Sequence, residues 1–199
     1  MKNQIRQPKQ SRSVETKNRI ITAGYQLFSE VGYYGTNTAE IAKKAGVSTG
    51  IVYGYFKDKK DILVCALNIY INNIFLPVDK FLETLSSPID FIALAPQIID
   101  LTIKIHSKNS KMHEALHSLA QTDEDVNKEF ILFEDNLTEK IVKRLENLQL
   151  KMENLNEKIH FCLNIVQSFA HESVYDKHDY IDYKVMRDMV EKTIVNLFS

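Results

Sequence analysis

Residues 36–63 read TNTAEIAKKAGVSTGIVYGYFKDKKDIL, and their spacing decides the fold. Ile41 and Ala42 lie one turn before Ala45, so a short helix from about Asn37 to Ala45 buries these three on one face. Gly46 follows as a residue able to take a left-handed backbone, and Val47 can pack back into the corner. Ser48 is an N-cap for a second short helix, Thr49 to about Phe56. Helix, glycine-containing turn and second helix make the motif whose second helix enters the major groove of DNA. The basic loop Lys57-Asp58-Lys59-Lys60 then opens a third amphipathic helix through Ile62, Leu63 and Ala66.

Gly32-Tyr33, Thr36, Ile41-Ala42, Ala45-Gly46-Val47-Ser48, Gly50, Tyr53, Tyr55-Phe56, Lys59 and Leu63 follow one another in a known order and spacing. Over about residues 14–64, without a gap, the chain resembles the N-terminal domain of the TetR family. It departs at Gly54, where the family often has His; a Gly inside so short a helix costs about 1 kcal/mol against Ala. The departure implies a close approach of the backbone to DNA or a different operator. The resemblance implies a transcriptional regulator, a repressor released from a palindromic double-stranded operator by a small-molecule effector. It also implies a homodimer, since one seven-residue reading helix reaches few bases and paired half-sites add affinity.

The predicted DNA-binding residues follow from this placement. Thr49 and Gly50 sit at the end of the reading helix that approaches base edges, with Ser48 and Val52 on the same short helix. A Thr hydroxyl serves a base edge and its methyl meets a thymine methyl. Tyr53 and Tyr55, by resemblance, bond phosphates. Thr36 and Asn37 begin the preceding helix, where unpaired backbone N–H groups favour a phosphate. Lys59 does the same at the start of the following helix, and Lys57 adds charge.

Charge divides with the motif. Residues 1–62 hold 11 Lys/Arg against 5 Asp/Glu, a net +6, and the remainder holds 14 against 21, a net −7. A basic head on an acidic body suits phosphate binding at one end. Residues 1–13 lack apolar periodicity and read as a disordered basic arm carrying Lys2, Arg6, Lys9 and Arg12, able to add non-specific attraction or reach a minor groove.

The rest reads as helix, so the fold class is all-α, with residues 14–64 as head and 65–199 as a helical effector-binding and dimerisation domain. The first helix runs from about Thr16 to Val31. Pro77 is expected to end or kink the long helix that starts at Lys59, and Ser87-Pro88 to start the next one. In the penultimate helix Leu155, Ile159, Cys162, Val166 and Phe169 form one face, with Phe161, Leu163, Ile165 and Val174 widening it. A monomer needs one buried stripe, so this face is read, with Val185, Met189 and Ile194 of the last helix, as the dimer interface. The effector pocket is expected among Phe75, Phe91, Ile98, His106, His117, Phe130, Phe133, Asn164 and His171, between helices as in other bundles. Core packing is the competing role for each of them.

His113-Glu114-Ala115-Leu116-His117 matches HExxH, which in zinc hydrolases supplies two ligands and a general base. Ala120 stands where the extended motif wants Gly, and Asp123 is the one imaginable third ligand. A zinc-dependent hydrolase is thus one alternative and an effector-independent DNA-binding protein the other. There is no glycine-rich phosphate loop and no CxxC, so no catalytic residue, cofactor or resident metal is expected. Cys65 and Cys162 fall in apolar helical patterns and read as buried free thiols. No run of 18 apolar residues occurs, and the N-terminus lacks the apolar core of a secretory signal; no membrane partner and a cytoplasmic location are expected.

Overall fold

The computed structural model describes residues 11–108 and 110–199. Among them are nine helices and no strand: α1 (Ser11–Val31), α2 (Thr38–Ala45), α3 (Thr49–Tyr55), α4 (Lys59–Thr84), α5 (Phe91–Lys108), α6 (Ser110–Ala120), α7 (Glu124–Asn147), α8 (Leu155–Tyr175) and α9 (Tyr183–Leu197). The all-α reading holds. Lys2, Arg6 and Lys9 of the expected arm lie outside the described residues, whereas Ser11, Arg12 and Ser13 belong to α1.

The described residues divide into two compact units, 11–73 with 110–128, and 74–108 with 129–199. In the first, Ile20, Ala23 and Phe28 of α1 are buried together with Ile41, Ala42 and Ala45 of α2, Val52 and Phe56 around α3, and Ile62, Leu63, Ala66 and Leu67 of α4. Gly24 is buried in α1, and a Cβ there would stand 2.5 Å from the Ile62 methyl Cγ2, so only glycine lets the two helices approach this closely. Helix α6 also packs on α1. Its Lys111 ammonium donates to the Glu30 carbonyl, and the buried Tyr70 hydroxyl lies 2.7 Å from His113 Nδ1. Just beyond α6, Asp123 pairs with Lys60 at 2.6 Å.

In the second unit Ala95, Ile99, Val142, Leu145, Leu155, Ile159, Cys162, Val166, Phe169, Val190, Ile194 and Phe198 make one core. Burial pushes the Cys162 thiol up to about 11, which keeps it protonated and unreactive. Two expected helix boundaries need correction. Helix α4 runs through Pro77 to Thr84 instead of stopping. A proline inside a helix costs about 3 kcal/mol, and here contacts to the residues after Pro77 oppose the break. Lys140 pairs with Asp79, and Arg144 donates to the carbonyls of Leu82 at 2.9 Å and Leu85 at 2.8 Å, closing the end of α4. Helix α5 starts at Phe91, not at Pro88, because Asp90 is the true cap: its Oδ1 accepts from Ile92 N at 3.0 Å and Ala93 N at 3.1 Å.

By length and composition α4 is also apolar enough to cross a membrane. Its Ile62, Leu63, Ala66, Leu67, Tyr70, Ile74 and Leu82 are buried within the protein.

Candidate nucleic-acid interface

The interface is built from two caps and a turn. Asn37 has an extended backbone (φ −129°, ψ 164°), and its side chain accepts from Glu40 N at 3.0 Å. The Glu40 carboxylate accepts in return from Asn37 N at 3.2 Å, a complete capping box. At the other end Gly46 takes the left-handed conformation (φ 66°, ψ 38°), with Gly46 N donating to Lys43 O and Val47 N to Ala42 O. That closure turns the chain straight into Ser48, whose hydroxyl accepts from Ile51 N at 3.4 Å and starts α3. Seven residues later Phe56 leaves the helix with an extended backbone (φ −137°).

The predicted contact residues separate on this frame. Ser48, Gly50, Tyr53 and Lys57 are exposed, Thr49 and Tyr55 half-buried, and they share the α3 side of the head. Val52 does not belong with them: it is fully buried, one turn from Phe56 on the face that meets the core. Thr36 is also withdrawn, 2% exposed, its hydroxyl donating to Gly32 O at 2.8 Å and its N–H to Tyr33 O at 3.3 Å. The N–H and side chain of Asn37 are taken by the capping box, so Asn37 shapes the helix start rather than offering an open donor.

Lys59 works inward as well. Its ammonium donates to Tyr33 O at 2.8 Å and Thr36 O at 2.9 Å and stands 4.3 Å from the centre of the Tyr33 ring. Two of its three N–H donors thus brace the α1–α2 connection. Burial and the Asp58 charge raise the Tyr33 phenol's pKa, so it stays neutral beneath that cation.

Sequence reasoning missed Thr38 and Ser13. Thr38 Oγ1 lies 3.0 Å from the Tyr53 hydroxyl, and Ser13 Oγ lies 2.8 Å from that of Tyr55. Each bond joins residues from different helices, 15 and 42 positions apart, so no local spacing announced them.

The HExxH residues are used otherwise. His113 is buried against Tyr70, with the His117 ring 4.0 Å away, while Asp123 is held by Lys60. Among the described residues no three His, Cys, Asp or Glu gather as a metal site. This arrangement gives the hydrolase alternative no support.

The matches to known proteins point the same way. Residues 20–65 fit the model of bacterial regulatory proteins of the tetR family. That stretch carries the N-terminal domain of the tetR family. Over 76 residues it is 41% identical to the HTH-type transcriptional regulator HbdR of Aromatoleum sp. (strain CIB), a match covering 38% of this chain and 33% of that protein. The chain therefore matches about a third of that relative's length. A second relative, the fatty acid metabolism regulator protein of Bacillus subtilis (strain 168), is 27% identical over 178 residues, 88% of this chain and 78% of that one. A Saccharomonospora viridis structure, described as a transcriptional regulator in complex with choline, shares the fold at a TM-score of 0.69 and 16% identity, over 92% of this chain and 96% of that one.

The residues predicted for an effector site are distributed over the two compact units. His117 belongs to the first unit and the other eight to the second. Phe75 meets Phe133 edge-on at 5.3 Å, whereas Phe91 stacks on Phe198 at 4.5 Å. His106 is buried beside His171 and Tyr175, at 6.4 and 6.2 Å between ring centres, and Tyr175 donates to the His106 carbonyl. Ile98 packs on the core and Asn164 is exposed. A cavity of about 570 Å³ lies elsewhere, at the α7–α8 connection, lined by Glu146, Leu150, Lys151, Met152, Glu153 and Leu155.

The predicted dimer stripe is also corrected. Leu155, Ile159, Cys162, Val166, Phe169 and Ile194 are buried in the chain's own core. Left exposed on these two helices are Phe161 of α8, at 52%, and Val185 and Met189 of α9, at 53% and 63%.

Proposed function

We propose that the chain is a sequence-specific DNA-binding transcriptional regulator, a repressor that leaves a palindromic operator when a small molecule binds. One observation carries this reading: α2 and α3 are locked at the Gly46 turn, with Thr49, Gly50 and Tyr53 presented outward. Thr49 and Gly50, at the N-terminal end of α3, meet base edges, while Tyr53, Tyr55 and Lys57 meet phosphates. Two copies bind as a homodimer through Phe161, Val185 and Met189, the apolar residues of α8 and α9 left outside the core. The two reading helices then serve half-sites about 34–36 Å apart, one turn of DNA.

The effector site lies in the second unit, among the helices that hold Phe75, Phe133, His106 and His171. Effector binding shifts α4, which contributes residues to both units, and so changes the separation of the two reading helices. The Bacillus subtilis relative is named as a regulator of fatty acid metabolism, which makes an acyl-chain compound the first effector to test. Such a protein works in the cytoplasm, where its DNA is.

Selection of bound duplexes from a random pool, followed by anisotropy titrations over a range of salt, tests the reading. A palindromic consensus bound with a steep salt dependence is expected. Failure to enrich any duplex sinks it. Release of the selected duplex by a screened acyl compound tests the effector class separately.

A further inference from the structure

The hydroxyl pair between Thr38 and Tyr53 has no part in the core. Tyr53 is half-exposed, the bond is itself exposed, and its two residues sit on different helices of the head. An exposed neutral hydrogen bond contributes little to stability, because water replaces it almost equally well. Its consequence lies in the direction of its protons.

Either hydroxyl can donate in the free protein. A phenol has one O–H donor and otherwise only accepts. Once the Tyr53 proton points at a phosphate oxygen, Tyr53 has only lone pairs left for Thr38. Thr38 then donates, giving a chain from Thr38 through Tyr53 to the anion. Hydrogen bonds in such a chain polarise one another, and a bond that ends on a charge is stronger than a neutral one. Thr38 is the first residue of α2, where the helix end adds its own positive field. The Ser13–Tyr55 pair differs, being partly buried against α1, where it fastens α3 to the scaffold.

We propose that Thr38 is a positioning residue for DNA binding: its hydroxyl holds the Tyr53 phenol and turns the phenol's proton outward to a backbone phosphate. This rests on the DNA-binding reading above, and Thr38 acts through Tyr53 without touching DNA.

A double-mutant cycle on the full chain tests it, with anisotropy on a labelled duplex selected from a random pool by the unaltered protein. Thr38→Val should weaken binding roughly three- to tenfold, the range of one lost hydrogen bond. Thr38→Ser should restore most of the loss. In Tyr53→Phe protein, where no phenol remains to be turned, Thr38→Val should change nothing. The salt slope should stay constant throughout, because no ammonium is removed. Thr38→Ala, carried through the same cycle, guards against a folding defect peculiar to valine. An equal loss in the Tyr53 and Phe backgrounds overturns the proposal, since Thr38 would then touch DNA or prop the fold directly. No loss in either background overturns it too. An unaltered protein that enriches no duplex removes the DNA-binding reading, and this one with it.

Discussion

Two lysines two residues apart in the basic loop sit in opposite surroundings. The Lys59 ammonium is held by the Tyr33 and Thr36 carbonyls, whereas the Lys57 side chain is exposed. Lys59→Ala should therefore cost about 1–3 kcal/mol of stability, the range for losing hydrogen bonds from a charged donor to partly buried acceptors. Lys57→Ala should leave the urea midpoint alone and lower the salt slope of DNA binding by about 1. Urea melts and salt titrations of both variants separate the roles, and a Lys59→Ala protein as stable as its parent contradicts the first. Gly24 offers a sharper test. An added methyl would stand 2.5 Å from the buried Ile62 side chain, so Gly24→Ala should destabilise by about 1–3 kcal/mol, although alanine favours a helix. A rise in melting temperature would show that α1 and α4 can separate at no cost.

Among elements, some boundaries follow from sequence because local chemistry fixes them. The predicted bounds of the two short helices, Asn37 to Ala45 and Thr49 to Phe56, each fall within one residue of the observed α2 and α3. The Gly46 turn was legible because few residues other than glycine take that backbone freely. Val52 was readable too, and was misplaced: it is four residues before Phe56, on the same helical face, and so turns inward with it. The path of α4 through Pro77 was not legible, since Lys140 and Arg144 lie some 60 residues farther along the chain. Nor could the pattern of α8 reveal that Leu163 and Ile165 pack on the chain's own core while Phe161 is left exposed. The exposed apolar residues of α8 and α9 lead to a prediction. Met189→Glu should convert a dimer to a monomer in light scattering while leaving helix content unchanged, because a charge cannot be buried there unpaired. An unchanged mass, or a monomeric parent, argues against this interface.

Across the whole molecule, titration of one histidine sets an acid limit. Burial lowers the His106 pKa from its ordinary 6.5, the bond to the Thr102 carbonyl opposes this, and His171 adds to the lowering. The unfolded chain thus takes up this proton more readily than the folded one. His106 supports the fold fully above about pH 6.5, and that support is lost as the pH falls below it. Guanidinium midpoints at about pH 7.5 and 5.5 should diverge more for the parent than for His106→Gln. Equal divergence would place the acid sensitivity elsewhere.

Helix α6 has a practical consequence for anyone building hybrid regulators. Tyr70, Lys111, His113 and Asp123 tether the same compact unit that carries α2 and α3. A graft that stops at residue 64 would transplant a reader stripped of its own buttress. Swaps that carry residues 110–128 along with the front of the chain should yield sturdier chimeras than those cut at the motif's edge.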